Sequence, residues 1–313
     1  MELTSEHEEL RRSALKFVET EINPYVDEWE ENEIFPAGEL FKKLGDQGFL
    51  GITKPEKYGG SELDYTYGAV LNEAIAHSSC GGVPMAIGVQ TDMATPALAR
   101  FGNEKVCSEF LKPSITGDFV ACLGVSEPSA GSDVSAIKTN ALKDGDDYVI
   151  SGSKMWITNG TQADWMCMLA NTDPDAKNKH FNKSLICVPL KENGKRAKGV
   201  TINRKLKKMG MNSSDTAEIF FDDVRVPQQN LIGDEGQGFV YQMLQFQEER
   251  LFAALGGYTG CELAIQETIE YTRQRKTFGK PILDNQIVHY KLSELMTEVE
   301  ALRSLTWKAI EIH

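Results

Sequence analysis

The apolar pattern changes twice along the chain, and that change limits the fold more than any single motif. Residues 4–117 keep helical spacing, residues 118–233 break into short β-branched runs, and residues 234–313 return to long helical spacing. Helix, sheet, helix in that order predicts three domains rather than one doubly wound sheet. They are an N-terminal α-helical domain over 1–117, a middle β-domain over 118–233 and a C-terminal helical domain over 234–313. The expected class is α+β multidomain, with an antiparallel β-barrel or sandwich between an N-terminal helical bundle and an incomplete C-terminal one.

Local signals place the elements. Ser5 with Glu8 forms a capping-box pattern ahead of Leu10, Ala14, Phe17 and Val18. Pro24 limits that helix, and Pro36 opens the next, which carries Leu40, Phe41 and Leu44 and ends at Gly45. A third helix runs through Tyr65, Val70, Leu71 and Ile75, a fourth covers about 83–100, and Asn103 is placed to cap a fifth. Short connections imply antiparallel neighbours. In the middle block, strands are expected at 120–125, 148–151, 155–158, 165–169, 185–188, 200–202 and 217–221. The polar stretch 171–183 reads as an exposed loop, and the Lys- and Arg-rich 191–208 as a solvated loop and strand edge. Two long helices then follow, one to about Arg273 and one through Val288, Leu292, Leu295, Val299 and Leu302. The second ends on Trp307, Ile310, Ile312 and His313 with its apolar stripe still running and no Gly, Asn or Pro stop. The expectation is a truncated bundle whose apolar face needs a partner to cover it.

Composition narrows the ligand class. The chain has 313 residues, enough for more than one domain, with an ordinary 41% hydrophobic and 25% charged residues. A net charge of −13 argues against nucleic acid or an anionic membrane surface as the main partner. An anionic ligand therefore needs locally placed cations and N–H donors. Cys80, Cys107, Cys122, Cys167, Cys187 and Cys261 form no CxxC pair and read as reduced core thiols. The five histidines show no metal-ligand spacing. No apolar run is long enough to span a membrane, and a charged helix begins too early for a signal peptide.

Two stretches carry chemistry. Val125-Ser126-Glu127-Pro128-Ser129-Ala130-Gly131-Ser132-Asp133 reads as a strand entering a tight polar turn, whose N–H groups and hydroxyls suit an anion. Lys154-Met155-Trp156-Ile157-Thr158-Asn159 reads as a strand whose alternation puts Trp156 and Thr158 on one face. An aromatic plane beside a hydroxyl suits a flat heteroaromatic ring with polar edge atoms. Between the two, 141–152 reads as a hairpin turning at Asp144-Gly145-Asp146-Asp147. Taken alone, such a turn is most often only a turn, and a strand tryptophan is most often core.

This pair of motifs resembles the flavin-binding signature of the acyl-CoA dehydrogenase family, and the similarity extends over nearly the whole chain. The family is built as helix, sheet, helix. It uses FAD to remove two hydrogens from the α and β carbons of an acyl-CoA thioester. The resemblance implies that Leu123, Val125 and Ser126 line the flavin, and that Gly131 and Ser132 meet its pyrophosphate and the CoA side. It implies that Trp156 packs against the ring, that Thr158 hydrogen-bonds near N5, and that Ile157 belongs to the same cofactor-binding set. Arg275, Thr277 and Gln286 would bind the FAD of a neighbouring subunit, so a homo-oligomer, dimer or tetramer, is implied. Ser129 stands where many relatives have Gly, which is acceptable only with a negative φ.

The reaction needs a carboxylate base in a water-poor pocket, where burial raises its pKa into a useful range. In isovaleryl and long-chain types of the family the base lies on the helix after the β-domain, within Glu-Arg-Leu. Here Gln247-Glu248-Glu249-Arg250-Leu251 puts Glu249 on that position, counted from Gly238 with no gap. Glu248 projects about 100° away and reads as a solvated pairing residue. Arg250, Gln247 and Ser132 make the implied substrate-contacting set. The implied product is a trans-2-enoyl-CoA, with electrons passed to an electron-transferring flavoprotein, in a mitochondrial matrix or bacterial cytoplasm. The alternatives are a short form acting as a partner or dominant-negative subunit, and an oxygen-reactive acyl-CoA oxidase. Residues 85–95 are also similar to bacterial citronellyl-CoA dehydrogenases.

Overall fold

The computed structural model describes residues 3–313. Among them, helices α1 (Ser5–Phe17), α2 (Val26–Glu31), α3 (Ala37–Asp46), α4 (Tyr65–Ile75), α5 (Gly82–Gly88), α6 (Pro96–Phe101), α7 (Glu104–Val106) and α8 (Lys112–Ile115) precede the sheet. The first cap differs from the Ser5–Glu8 expectation. Thr4 is the N-cap, and its backbone N–H donates to His7 Nδ1 at 3.2 Å, so a histidine takes the reciprocal role. Asp64 and Asn103 cap α4 and α7 by accepting from the N–H groups of Thr66 and Val106 at 2.8 and 3.1 Å. The stretch expected as one helix over 83–100 is broken. A π-turn, Val89–Ala94, separates α5 from α6, which starts at Pro96 where no N–H is available for a continuing ladder.

The sheet strands are β1 (Ala121–Gly124), β2 (Asn140–Asp144), β3 (Asp147–Thr158), β4 (Trp165–Asn171) and β5 (Lys183–Pro189), then a small ribbon of β6 (Lys191–Glu192) and β7 (Lys195–Arg196), then β8 (Val200–Lys205), β9 (Thr216–Pro227) and β10 (Leu231–Ile232). The eight-stranded sheet runs β10-β5-β4-β2-β3-β9-β8, with β1 beside β4. Most pairs are antiparallel, but β1 runs parallel to β4. The runs 148–151 and 155–158 are one strand, β3, which follows β9 through irregularities between Ile150 and Gly152 and between Lys154 and Ile157. On β4 and β5, Met166, Met168, Ile186 and Val188 face one core, while Trp165, Cys167, Leu185 and Cys187 face a second. Covered on both faces, these strands read as continuous apolar runs. Four of the cysteines are buried as expected, but Cys261 is exposed.

Helices α9 (Gly238–Gln274) and α10 (Gln286–Ile312) follow, joined through the ribbon of β11 (Lys276–Thr277) and β12 (Lys280–Pro281). They pack on each other and on α4 through Ala69, Leu255, Tyr258, Leu292, Val299 and Ile310. No helix among the described residues is long and apolar enough to cross a membrane.

Candidate active site

The polar turn after β1 is fixed from inside. Glu127 and Ala130 exchange backbone hydrogen bonds at 2.9 and 3.1 Å, and the carbonyl of Ser126 accepts from the N–H of Met155 at 3.0 Å. The buried Glu127 carboxylate accepts from the N–H groups of Lys138 and Thr139 at 2.7 and 3.0 Å and from Lys154 Nζ at 2.9 Å. Burial opposes its charge, but Lys154 and these amide donors outweigh burial and hold its pKa below the usual value. Lys154, fully buried, also donates to the carbonyl of Val125 at 3.0 Å. This pair pins the turn to β3. Sequence reasoning missed it, because both residues resemble ordinary surface charges. No residue of the turn other than glycine has a positive φ, so Ser129 meets its condition.

Just beyond the pin, Trp156 has φ 68° and is 61% exposed. A left-handed tryptophan is uncommon and is held only by firm surroundings. The bulge turns this part of β3 so that Trp156, Ile157 and Thr158 all line one cavity, where alternation alone puts only Trp156 and Thr158 together. The cavity measures about 510 Å³. Leu123, Val125, Ser126, Gly131 and Ser132 form its turn side, and Met85, Val89 and Met93 of α5 and the π-turn form another wall. Phe246, Glu249, Arg250 and Ala253 of α9 close it.

Glu249 faces this cavity, and burial pushes its pKa up to about 7, against the opposing effect of Gln245, Gln242 and Arg250. Gln242 and Gln245 donate to its Oε1 at 3.1 and 3.4 Å. Their spacing before Glu249 on one helical face was the available signal for them. Glu248 is a correction. It is 4% exposed rather than solvated, pairs with Arg100 of α6, and has His313 Nε2 at 3.4 Å, because α4, α6 and α10 close around it. Gln247 is exposed and lines no part of the cavity. Arg275 and Thr277, between α9 and α10, and Gln286, at the start of α10, are exposed and line no part of it. A larger groove of about 1050 Å³ lies between α9 and α10, along Ile269, Leu283, Leu292 and Met296, and holds none of the expected site residues.

The arrangement fits a flat, polar-edged anion such as FAD. The hydroxyls of Ser126, Ser132 and Thr158 bond to no protein group among the described residues. A Cβ placed on Gly131 meets nothing within 4 Å, which leaves room for close approach to its backbone. The indole stands open beside them.

Comparison with known proteins agrees. The acyl-CoA dehydrogenase N-terminal, middle and C-terminal domain signatures match residues 4–118, 122–224 and 236–313. The chain is 38% identical over 311 residues to the mitochondrial long-chain specific acyl-CoA dehydrogenase of Rattus norvegicus, covering 99% of this chain and 70% of that one. The crystal structure of acyl-CoA dehydrogenase from Geobacillus kaustophilus superposes with a TM-score of 0.92 at 38% identity, over 99% of this chain and 79% of that one. PigA with FAD and proline superposes with a TM-score of 0.91 at 25% identity, over 99% of this chain and 79% of that one. The chain belongs to the acyl-CoA dehydrogenase family.

Proposed function

We propose that this protein is an FAD-dependent dehydrogenase that converts an acyl-CoA thioester to its trans-2-enoyl-CoA, with Glu249 as the base. The observation that carries this reading is the cavity in which Glu249 of α9 lies with Trp156 and Thr158 of β3. Leu123, Val125, Ser126, Gly131, Ser132, Trp156, Ile157 and Thr158 would hold the cofactor. When bound, FAD supplies the acceptor for the hydride that leaves the β-carbon. Glu249 takes the α-proton, and its raised pKa of about 7 makes the uptake less uphill than for an ordinary carboxylate. Arg250, exposed at the rim, offers positive charge to the anionic CoA end in a chain of net charge −13.

A long or branched acyl chain is the favoured substrate, since the wall of Met85, Val89, Met93 and Ala253 is apolar and the base lies on α9. Electrons would pass to an electron-transferring flavoprotein, and the compartment would be a mitochondrial matrix or a bacterial cytoplasm. The domain limits 1–117, 118–233 and 234–313 belong to the same reading. Arg275, Thr277 and Gln286, exposed here, would reach the FAD of a second copy, which makes the working form a homo-oligomer.

Anaerobic mixing of the FAD-loaded protein with short, long and branched acyl-CoAs, followed by flavin absorbance, tests the proposal. Glu249→Gln is expected to keep its FAD and to lose ~10²–10⁴-fold in the rate of flavin reduction. Reduction at the wild-type rate in that variant would exclude Glu249 as the base.

A further inference from the structure

Helix α9 carries a buried polar stripe that the reaction as described does not use. Gln242, Gln245 and Glu249 stand three and four residues apart on one face. Gln242 has no exposed surface and Gln245 is 1% exposed. A buried carboxamide in a helix is a poor choice unless its amide is employed. Both Nε2 groups converge on one atom, Glu249 Oε1, at 3.1 and 3.4 Å.

The two amides are held differently. Gln245 Oε1 accepts from the N–H of Ala97 on α6 at 3.0 Å, and its Nε2 also reaches the carbonyl of Met93 in the π-turn. Gln245 thus ties the carboxylate to the element that supplies one cavity wall. Gln242 keeps its donor edge on Glu249, although that leaves its own Oε1 buried without a protein hydrogen-bond partner among the described residues. An unsatisfied buried acceptor is rare and unfavourable, and its persistence asks for an explanation. With the amide turned over, its oxygen would face the carboxylate oxygen, acceptor against acceptor. The observed edge suits an ionised Glu249.

We propose that Gln242 and Gln245 are positioning residues for Glu249: they anchor one carboxylate oxygen, leave the other for the cavity, and stabilise the ionised form inside a buried wall. This rests on the reading of Glu249 as the base. The other charges facing Glu249 act without hydrogen bonds to it. Arg250 beside it favours the anion, and Asp92 on the π-turn opposes it. Lys54 faces Asp92, Cys167 of β4 lies within the field of Glu249, and neighbouring Glu248 is paired with Arg100.

The test uses the FAD-loaded protein and reads Glu249 directly. The infrared band of its protonated carboxyl, identified by its loss in Glu249→Gln, is titrated with pH in the wild type and in Gln242→Met. Removing one donor to the anion is expected to raise the midpoint by ~1 pH unit, a roughly tenfold smaller ionised fraction below it. The pH profile of flavin reduction is expected to move by the same amount, with FAD content unchanged. Gln242→Asn, polar but one methylene short, is the second variant if the methionine disturbs folding, and it is expected to move the midpoint in the same direction. A midpoint that stays at the wild-type value in a folded variant overturns the proposal. The two readings separate cleanly: wild-type flavin reduction in Glu249→Gln removes the base assignment, while the infrared midpoint still reports on the amides.

Discussion

Glu249, the proposed base, shows what burial does to one carboxylate. Its pKa lies near 7 in the folded chain because it is buried. An unfolded chain protonates a glutamate near ~4.3. The folded state therefore holds the proton more tightly. The associated stability is fully present below the unfolded value and is lost as pH rises through about 7. Glutamine carries no charge to bury, so Glu249→Gln is expected to be more stable than the wild type at pH 8, by at most ~3 kcal/mol. The gap should close towards pH 5. Thermal unfolding of both proteins at the two pH values, with FAD saturating, checks this, and an equal gap at both would contradict it. Glu248 beside Glu249 is buried too, but as one half of an ion pair. Its partner, Arg100, lies 148 residues away in the chain, beyond the reach of any local pattern.

At the scale of elements, the π-turn Val89–Ala94 follows α5 and packs against α9. Gly88, directly before it, has an ordinary helical φ of −61°, so its backbone does not call for glycine. Its neighbour does: a Cβ there would lie 2.2 Å from the ring of Phe252 on α9. Gly88→Ala gains ~1 kcal/mol of helix propensity, yet the overpacking is expected to cost ~1–3 kcal/mol. Because Ala253 lines the cavity next to Phe252, bound FAD should fall as well. An unchanged melting temperature would mean that the ring simply swings aside. Elements set by local chemistry were legible in the sequence. The turn signals framed β4 and β5, Asn103 sits at a cap as expected, and α9 and α10 end within a few residues of their periodic runs. The π-turn and the bulge at Trp156 were not, since both arise from packing between distant segments. The motif stretches did contain most of the cavity wall on the sheet side, whereas Met85 of α5 and Val89 and Met93 of the π-turn carry no chemical signature.

For the whole molecule, the question is what meets the outer face of α9 and α10. Tyr271, Phe278, Ile287 and Tyr290 are all exposed along the chain segment that holds Arg275, Thr277 and Gln286, and Leu305 is exposed further along α10. Scattered apolar residues are normal on a surface; the homo-oligomer proposed above would bury some of these. Sedimentation of the FAD-loaded protein is expected to show an oligomer, and dilution that dissociates it should release FAD in parallel. A monomer that retains its flavin would count against the shared site. Glu249 and the segment leading to Arg275 belong to one uninterrupted helix, α9, of 37 residues. From Glu249 to Gln274 the rise is about 37 Å, so a one-degree swing about the base moves the far tip by roughly 0.6 Å. That is enough to spoil a hydrogen bond. If α9 moves as a rigid rod, the orientation of the Glu249 carboxylate and the position of Gln274 are coupled, so a displacement at the far end is expected to be felt at the carboxylate.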